Sequence, residues 1–143
     1  MLTSARNQLD GIVTAVQRGA VNDEVDITLP GGEKIVAVLT HGSTESLGLA
    51  AGVPAFALIK ASWIVLVTDA SGVRLSARNQ LPGTVDKVVT GAVNAEVQLK
   101  LDAGQVLAAI VTNESVSKLG LVAGQRASAI FKASSVIVGV KIP

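Results

Sequence analysis

This chain repeats itself at a fixed spacing of 72 residues, and that repeat constrains its fold more than any other feature. Shifting the sequence by that distance aligns Ser4–Thr68 with Ser76–Val140 without a gap, and 30 of the 65 aligned positions are identical. The identities cluster in four blocks. "SARNQL" occurs at Ser4–Leu9 and Ser76–Leu81, and "GAVN" at Gly19–Asn22 and Gly91–Asn94. "LGL" occurs at Leu47–Leu49 and Leu119–Leu121, with Gly52 and Gly124 close behind, and "KAS" at Lys60–Ser62 and Lys132–Ser134. Such a chain folds as two copies of one small unit. The stretch between them, "TDASGVRL" (Thr68–Leu75), has an Asp-Ala-Ser-Gly core that predicts a turn rather than a long linker. The expected organisation is a first unit over 1–68, a short connection over 69–75 and a second unit over 76–143.

Within each unit the hydrophobic period is that of strands. Val25, Ile27 and Leu29 alternate with Glu24, Asp26 and Thr28, and "EVQLKL" (Glu96–Leu101) repeats the alternation, as half-buried strands require. "PGGEK" and "DAGQ" are hairpin turns, and "KIVAVLT", "AFALIKA" and "WIVLV" supply further strands with counterparts in the second copy. One helical turn interrupts the pattern. "STESLGLAAG" predicts a start at Ser43 or Thr44 and a stop at Gly48, and "SVSKLGLVAG" the same from Ser115 to Gly120. About five strands and one short helix per unit is the inventory of a small OB-like barrel, so the fold class is all-β.

Composition narrows the function. Twelve basic and eleven acidic residues leave a net charge of +1, with no long-range field to gather nucleic acid or an anionic membrane. There is no cysteine, which excludes disulfides and thiolate metal sites. The N-terminus shows no export signal, and apolar runs such as Trp63–Val67 are far too short to cross a bilayer, so a cytoplasmic location is expected. Apolar residues make up 49% of the chain but aromatics only 2%, so the units rely on small aliphatic side chains. Units this small and this aliphatic are expected to cover one another in a homo-oligomer.

Catalytic patterns are missing. His41 is the single histidine, and its counterpart is Asn113; no phosphate-binding glycine loop or paired-carboxylate signature is present. No enzyme activity is expected. The aromatics Phe56, Trp63 and Phe131 align with Ser128, Ser135 and Ile59, so no base-stacking position is shared by the two copies. That pattern suits core filling, and nucleic acid is not an expected partner. The segments both copies keep are different in kind. "SAR" offers a hydroxyl and a guanidinium at i and i+2, and "KAS" an ammonium and a hydroxyl, with no carboxylate in either. A small oxyanion presents only acceptors and needs such a set of donors.

These residues resemble the molybdate-binding Mop unit, and two copies in tandem resemble a di-Mop molbindin: "SARNQLPGTV", "GAVNAEVQLKL" and "FKASSVIV" are especially close to the pattern. The resemblance implies OB-like barrels that exchange strands, six of them assembling as a homotrimer, and molybdate, with tungstate as its near-isostere, bound between units. It implies no cofactor, no direct protein–metal bond and no membrane partner. Storage or homeostatic buffering of the oxyanion is the implied role; the alternative is a structural or nucleic-acid-binding OB-like oligomer without a small ligand. Carried over by motif, the first-copy ligands are Ser4, Arg6, Lys60 and Ser62, with Ala5, Ala61 and Thr40. The second-copy ligands are Ser76, Arg78, Lys132 and Ser134, with Ala77, Ala133 and Thr112. A second, axial class of site falls on the "GAVN" turns, at Val21, Asn22, Val93 and Asn94.

Overall fold

The structure, a computed structural model, describes Met1 and residues 3–143. In the first repeat a meander of β1 (Asn7–Gln17), β2 (Asn22–Thr28) and β3 (Lys34–Thr40) leads into α1 (His41–Leu47), β4 (Pro54–Ile59) and β5 (Val65–Val67). The second repeat has β6 (Asn79–Thr90), β7 (Asn94–Leu101), β8 (Val106–Thr112), α2 (Asn113–Leu119), β9 (Arg126–Phe131) and β10 (Ile137–Gly139). The strand alternation resolves as expected: Val25, Ile27 and Leu29 are buried, as are Val97, Leu99 and Leu101, while the residues between them are half-buried or exposed.

The strands form two five-stranded sheets, ordered β10-β4-β1-β2-β3 and β5-β9-β6-β7-β8. The sheets do not coincide with the sequence repeats. One compact unit is Met1–Ile59 with Lys132–Pro143, and the other is Lys60–Phe131. Each repeat gives its last strand to the other's sheet, which is the strand exchange the resemblance implies. The chain crosses over directly at Lys60 and Lys132, the first residues of the two Lys-Ala-Ser segments.

Each sheet curls for reasons visible in β1 and β6. The β1–β2 register shifts between Val13 and Ala15, and the β6–β7 register between Val85 and Lys87, so each long strand carries a bulge. A glycine sits ahead of each bulge. A Cβ on Gly11 would lie 2.6 Å from the Thr28 carbonyl oxygen, and one on Gly83 would meet Lys100 O, so the strand pairs approach more closely than a side chain permits. The curl carries the turn before β10, Ala133–Ser135, onto the far edge strand β3, and likewise Ala61–Trp63 onto β8. The result is a pair of half-barrels.

The helices begin earlier than their sequence predicts. Thr40 and Thr112, not Ser43 or Ser115, are the N-caps: their hydroxyls accept the Ser43 and Ser115 N–H at 3.2 and 3.0 Å. Each cap is also the last residue of a strand, so strand and helix abut without a loop. The stops are where expected, at Gly48 and Gly120, both left-handed with φ of 63° and 64°.

Candidate functional site

Ser4, Ala5 and Arg6 precede β1 rather than lie in it, so their i, i+2 spacing does not by itself put the Ser4 hydroxyl and the Arg6 guanidinium on one face, as it would within a strand. They form a lead-in held in place by the first residue of the strand. Asn7 is buried, and its side-chain amide donates to the Ile59 carbonyl at 3.1 Å. That bond ties the start of β1 to the residue just before the Lys60 crossover. Asn79 is buried in the same way, opposite Phe131. In the second copy the Gln80 amide also donates to the Ala77 and Leu75 carbonyls at 3.0 and 3.3 Å, holding the Ser76–Arg78 lead-in. The asparagine kept in both copies of "SARNQL" is therefore an anchor.

The Lys-Ala-Ser segments are tight turns. The Trp63 N–H donates to the Lys60 carbonyl at 2.9 Å and the Ser135 N–H to Lys132 O at 3.0 Å, closing 3-10 turns over Ala61–Trp63 and Ala133–Ser135. Ala61 and Ala133 are buried, while Lys60, Ser62, Lys132 and Ser134 are exposed. The alanine methyl thus anchors the turn in the core and leaves both donor side chains on its outer side. The Lys60 ammonium lies 5.8 Å from the Trp63 ring centroid, within cation–π range, whereas Lys132 has Ser135 in the equivalent place.

The strand exchange decides which segments share a unit. Ser4, Ala5, Arg6 and Thr40 belong with Lys132, Ala133 and Ser134; Ser76, Ala77, Arg78 and Thr112 belong with Lys60, Ala61 and Ser62. Each Ser-Ala-Arg segment is thus grouped with the Lys-Ala-Ser segment of the opposite repeat. In each unit the Lys-Ala-Ser turn packs on the strand that ends in the capping threonine. The Thr40 and Thr112 hydroxyls are already engaged, donating to Ser43 and Ser115 Oγ at 2.9 and 2.8 Å.

The "GAVN" turns differ between the copies. Val21 and Val93 are exposed at their tips, at 74% and 69%, and the Val21 and Val93 carbonyls accept the His41 and Asn113 N–H groups. In the second unit the Gly91 N–H closes the turn on the Asn94 carbonyl at 2.8 Å, and the Asn113 side-chain amide donates to Gly91 O at 2.8 Å. In the first unit the Gly19 N–H goes instead to Asp23 Oδ1 at 3.0 Å. Asp23 is 1% exposed and holds His41 Nδ1 at 3.1 Å; His41 Nε2 lies 3.6 Å from Glu45, which pairs with Arg18 at 2.7 Å. The Gly19 N–H, the Thr44 hydroxyl and His41 together hold the Asp23 carboxyl below its usual value of 3.8, against the opposing effect of burial. The residues in the second copy are Thr90, Ala95, Asn113 and Ser117, all uncharged. Sequence comparison of the copies marked His41 as unshared but missed that Arg18, Asp23, His41 and Glu45 are replaced together; that joint loss was the available signal.

A cleft of about 290 Å³ beside the first turn is lined by Arg18, Gly19, Asn22 and Asp23 among others. A larger cleft of about 580 Å³, along Pro54, Phe56 and Val140–Ile142, is mainly apolar and contains none of the expected oxyanion ligands. Among the described residues, no group of three or more His, Cys, Asp or Glu side chains could hold a metal ion, and no helix is long and apolar enough to cross a membrane.

The TOBE domain family matches residues 3–66 and 75–138. A solved structure described as the cytoplasmic molybdate-binding protein ModG, with molybdate bound, is 55% identical, covers 99% of this chain and 100% of its own, and superposes with a TM-score of 0.96. The molybdenum transport protein ModE of Herbaspirillum seropedicae is 46% identical over 141 residues, which is 99% of this chain and 52% of that protein. The molybdenum-pterin-binding protein MopA of Rhodobacter capsulatus is 45% identical over 137 residues, 96% of this chain and 52% of that protein. The chain therefore spans about half the length of the curated relatives it matches. These relatives are binding proteins and regulators rather than enzymes. With two successive matches and an end-to-end structural likeness to ModG, the chain belongs to the TOBE-domain family, as two tandem copies of the Mop type.

Proposed function

We propose that this chain binds molybdate, and tungstate as its near-isostere, for storage or buffering in the cytoplasm. Four segments hold the anion: Ser4–Arg6 with Lys132–Ser134, and Ser76–Arg78 with Lys60–Ser62. The observation that carries this reading is the duplicated set of exposed donors, the Ser and Arg of each lead-in and the Lys and Ser flanking a core-anchored alanine in each turn, in a chain that superposes on molybdate-bound ModG. The mechanism is outer-sphere capture. The oxyanion's four oxygens accept hydrogen bonds from Arg, Lys, Ser and backbone N–H groups, and no protein atom bonds the metal. Molybdate and sulfate are both tetrahedral dianions, so charge does not separate them. Size does: where packed strands fix the spacing of the donors, the smaller anion reaches fewer of them and forgoes a hydrogen bond at each one it misses.

The turns at Val21–Asn22 and Val93–Asn94 are a second class of oxyanion site, and the buried Asp23 carboxylate beside the first makes it the weaker of the two. A homotrimer of six units brings the sites together, and the exposed Val21, Val65, Val93, Val106 and Ile137 supply apolar surface for it. Titration calorimetry with molybdate, tungstate, sulfate and phosphate in parallel tests the whole reading. Saturable heat is expected for the first two and none for the others at equal concentration; no heat with molybdate overturns it. A second, regulatory reading, in which these domains are the anion-responsive half of a larger protein, is favoured by the likeness to the DNA-binding transcriptional dual regulator ModE of Escherichia coli, 39% identical and covered over 51% of its length. It predicts salt-sensitive retention on oligonucleotides that changes when molybdate is added.

A further inference from the structure

The repeats differ at one contact that bears on which strand pairs with which. Gly139 of β10 lies opposite Phe56 of β4, and Val67 of β5 lies opposite Ser128 of β9. These are equivalent positions of the two repeats, 56 with 128 and 67 with 139. The bulky residue of one strand thus meets a glycine, and the small residue of its counterpart meets a valine. A Cβ at position 139 would lie 2.6 Å from Phe56 Cε2 and 3.1 Å from Cε1, with Cζ nearer still. Gly139 does not have positive φ, so its requirement is for space, not for backbone freedom. Phe56 is 7% exposed, and a side chain at position 139 would have to drive its ring out of that packed place toward the apolar cleft it lines.

β4 has a nearer candidate partner than the one it takes. Only residues 60–64 separate it from β5, whereas residues 60–136 separate it from β10. Chain entropy favours the short connection, yet β5 pairs with β9. Were β5 to take the place of β10, Val67 would fall opposite Phe56, where a Cβ fits only if the ring is displaced. Were β10 to take the place of β5, Gly139 would fall opposite Ser128 and leave a void. The local arrangement is therefore penalised on both sides, and the exchanged one on neither.

We propose that Phe56 with Gly139, and Ser128 with Val67, are positioning residues that select the exchanged pairing. They thereby assign each Lys-Ala-Ser segment to the unit that holds the other repeat's Ser-Ala-Arg segment. The crossovers lie at Lys60 and Lys132, so the strand choice carries these segments with it. The consequence for the anion site rests on the reading given under Proposed function; the pairing does not.

The chain has no cysteine, so introduced pairs report pairing cleanly. Leu58→Cys with Ile137→Cys joins register partners of the exchanged arrangement. Leu58→Cys with Val65→Cys joins the partners of the local one, because Val65 is the repeat equivalent of Ile137. In the otherwise native chain only the 58–137 disulfide is expected, within a single chain. Phe56→Ser, and separately Val67→Gly, removes the block, and each is expected to raise the 58–65 product roughly tenfold or more. Gly139→Val is expected to lose the 58–137 product and Gly139→Val with Phe56→Ser to regain it, which a merely weakened fold would not do. An unchanged 58–65 yield in both Phe56→Ser and Val67→Gly overturns the proposal, as does failure of the double variant to regain the 58–137 product or a 58–137 product that runs as a dimer. The crosslinks are read without molybdate. Calorimetry on the same variants is therefore a separate test, and native crosslinking in a chain that binds no anion would sink the site reading alone.

Discussion

Arg6 and Lys132 fall in one compact unit, and Arg78 and Lys60 in the other, so pairs of substitutions separate the two sites. Arg6→Ala with Lys132→Ala is expected to weaken half of the molybdate sites and leave the rest at native affinity. Arg6→Ala with Lys60→Ala is expected to weaken all of them. Each lost charge-assisted bond is worth roughly tenfold to a hundredfold in affinity, and calorimetry resolves the two patterns as biphasic against uniformly weak isotherms. The single Trp63, in contact with Lys60, should report filling of its own site by a fluorescence change that Lys60→Ala abolishes. Asn7 has no such role in binding. Asn7→Ala removes the buried side-chain bond to the Ile59 carbonyl and is expected to cost about 1 kcal/mol in urea unfolding, with molybdate affinity of the folded protein little changed. Asp23 sets a pH dependence. Its folded-state pKa lies below the usual value, so its stabilisation is present above that value and is lost as pH falls through the folded one. Melting temperatures of Asp23→Asn should thus fall well short of native at neutral pH and converge with it as the pH is lowered through the depressed folded-state pKa.

Among the elements, the long strands were legible because alternation is a local property: Val25, Ile27 and Leu29 bury whatever the rest of the chain does. The helix starts were not, because Thr40 and Thr112 serve two elements at once and a strand residue gives no sign that it will cap a helix. Thr40→Ala should lower stability by about 1 kcal/mol, measured by chemical denaturation, and Ser43→Ala by less if Thr40 is the cap. The Ser-Ala-Arg segments were legible as chemistry but not as geometry. Their donors stand out in sequence, yet their place before β1 is fixed by Asn7 and Gln80, whose carbonyl partners come from tertiary contact and from a bend in the chain. The partners of β5 and β10 are beyond pattern reading altogether. "VLV" and "IVG" are three-residue strands with no register of their own, and only the resemblance to the Mop family implied that they trade places.

At the scale of the whole molecule, the sequence repeat and the folded unit are different objects, offset by the last strand of each copy. The connection over 69–75 is an exposed turn, with the Ser71 N–H donating to Asp69 Oδ1 at 3.0 Å, and it carries an exposed arginine at 74. Limited trypsin cleavage after Arg74 should leave the two halves co-eluting in gel filtration, because β5 of one and β10 of the other remain built into the opposite sheets. Halves that separate without denaturant would contradict the observed strand order. A gene encoding either half alone would make a polypeptide with one strand too many and one too few, satisfied only by the other half. Duplication here made the copies mutually dependent, so that neither can be deleted, or grafted onto another protein, without taking the other along.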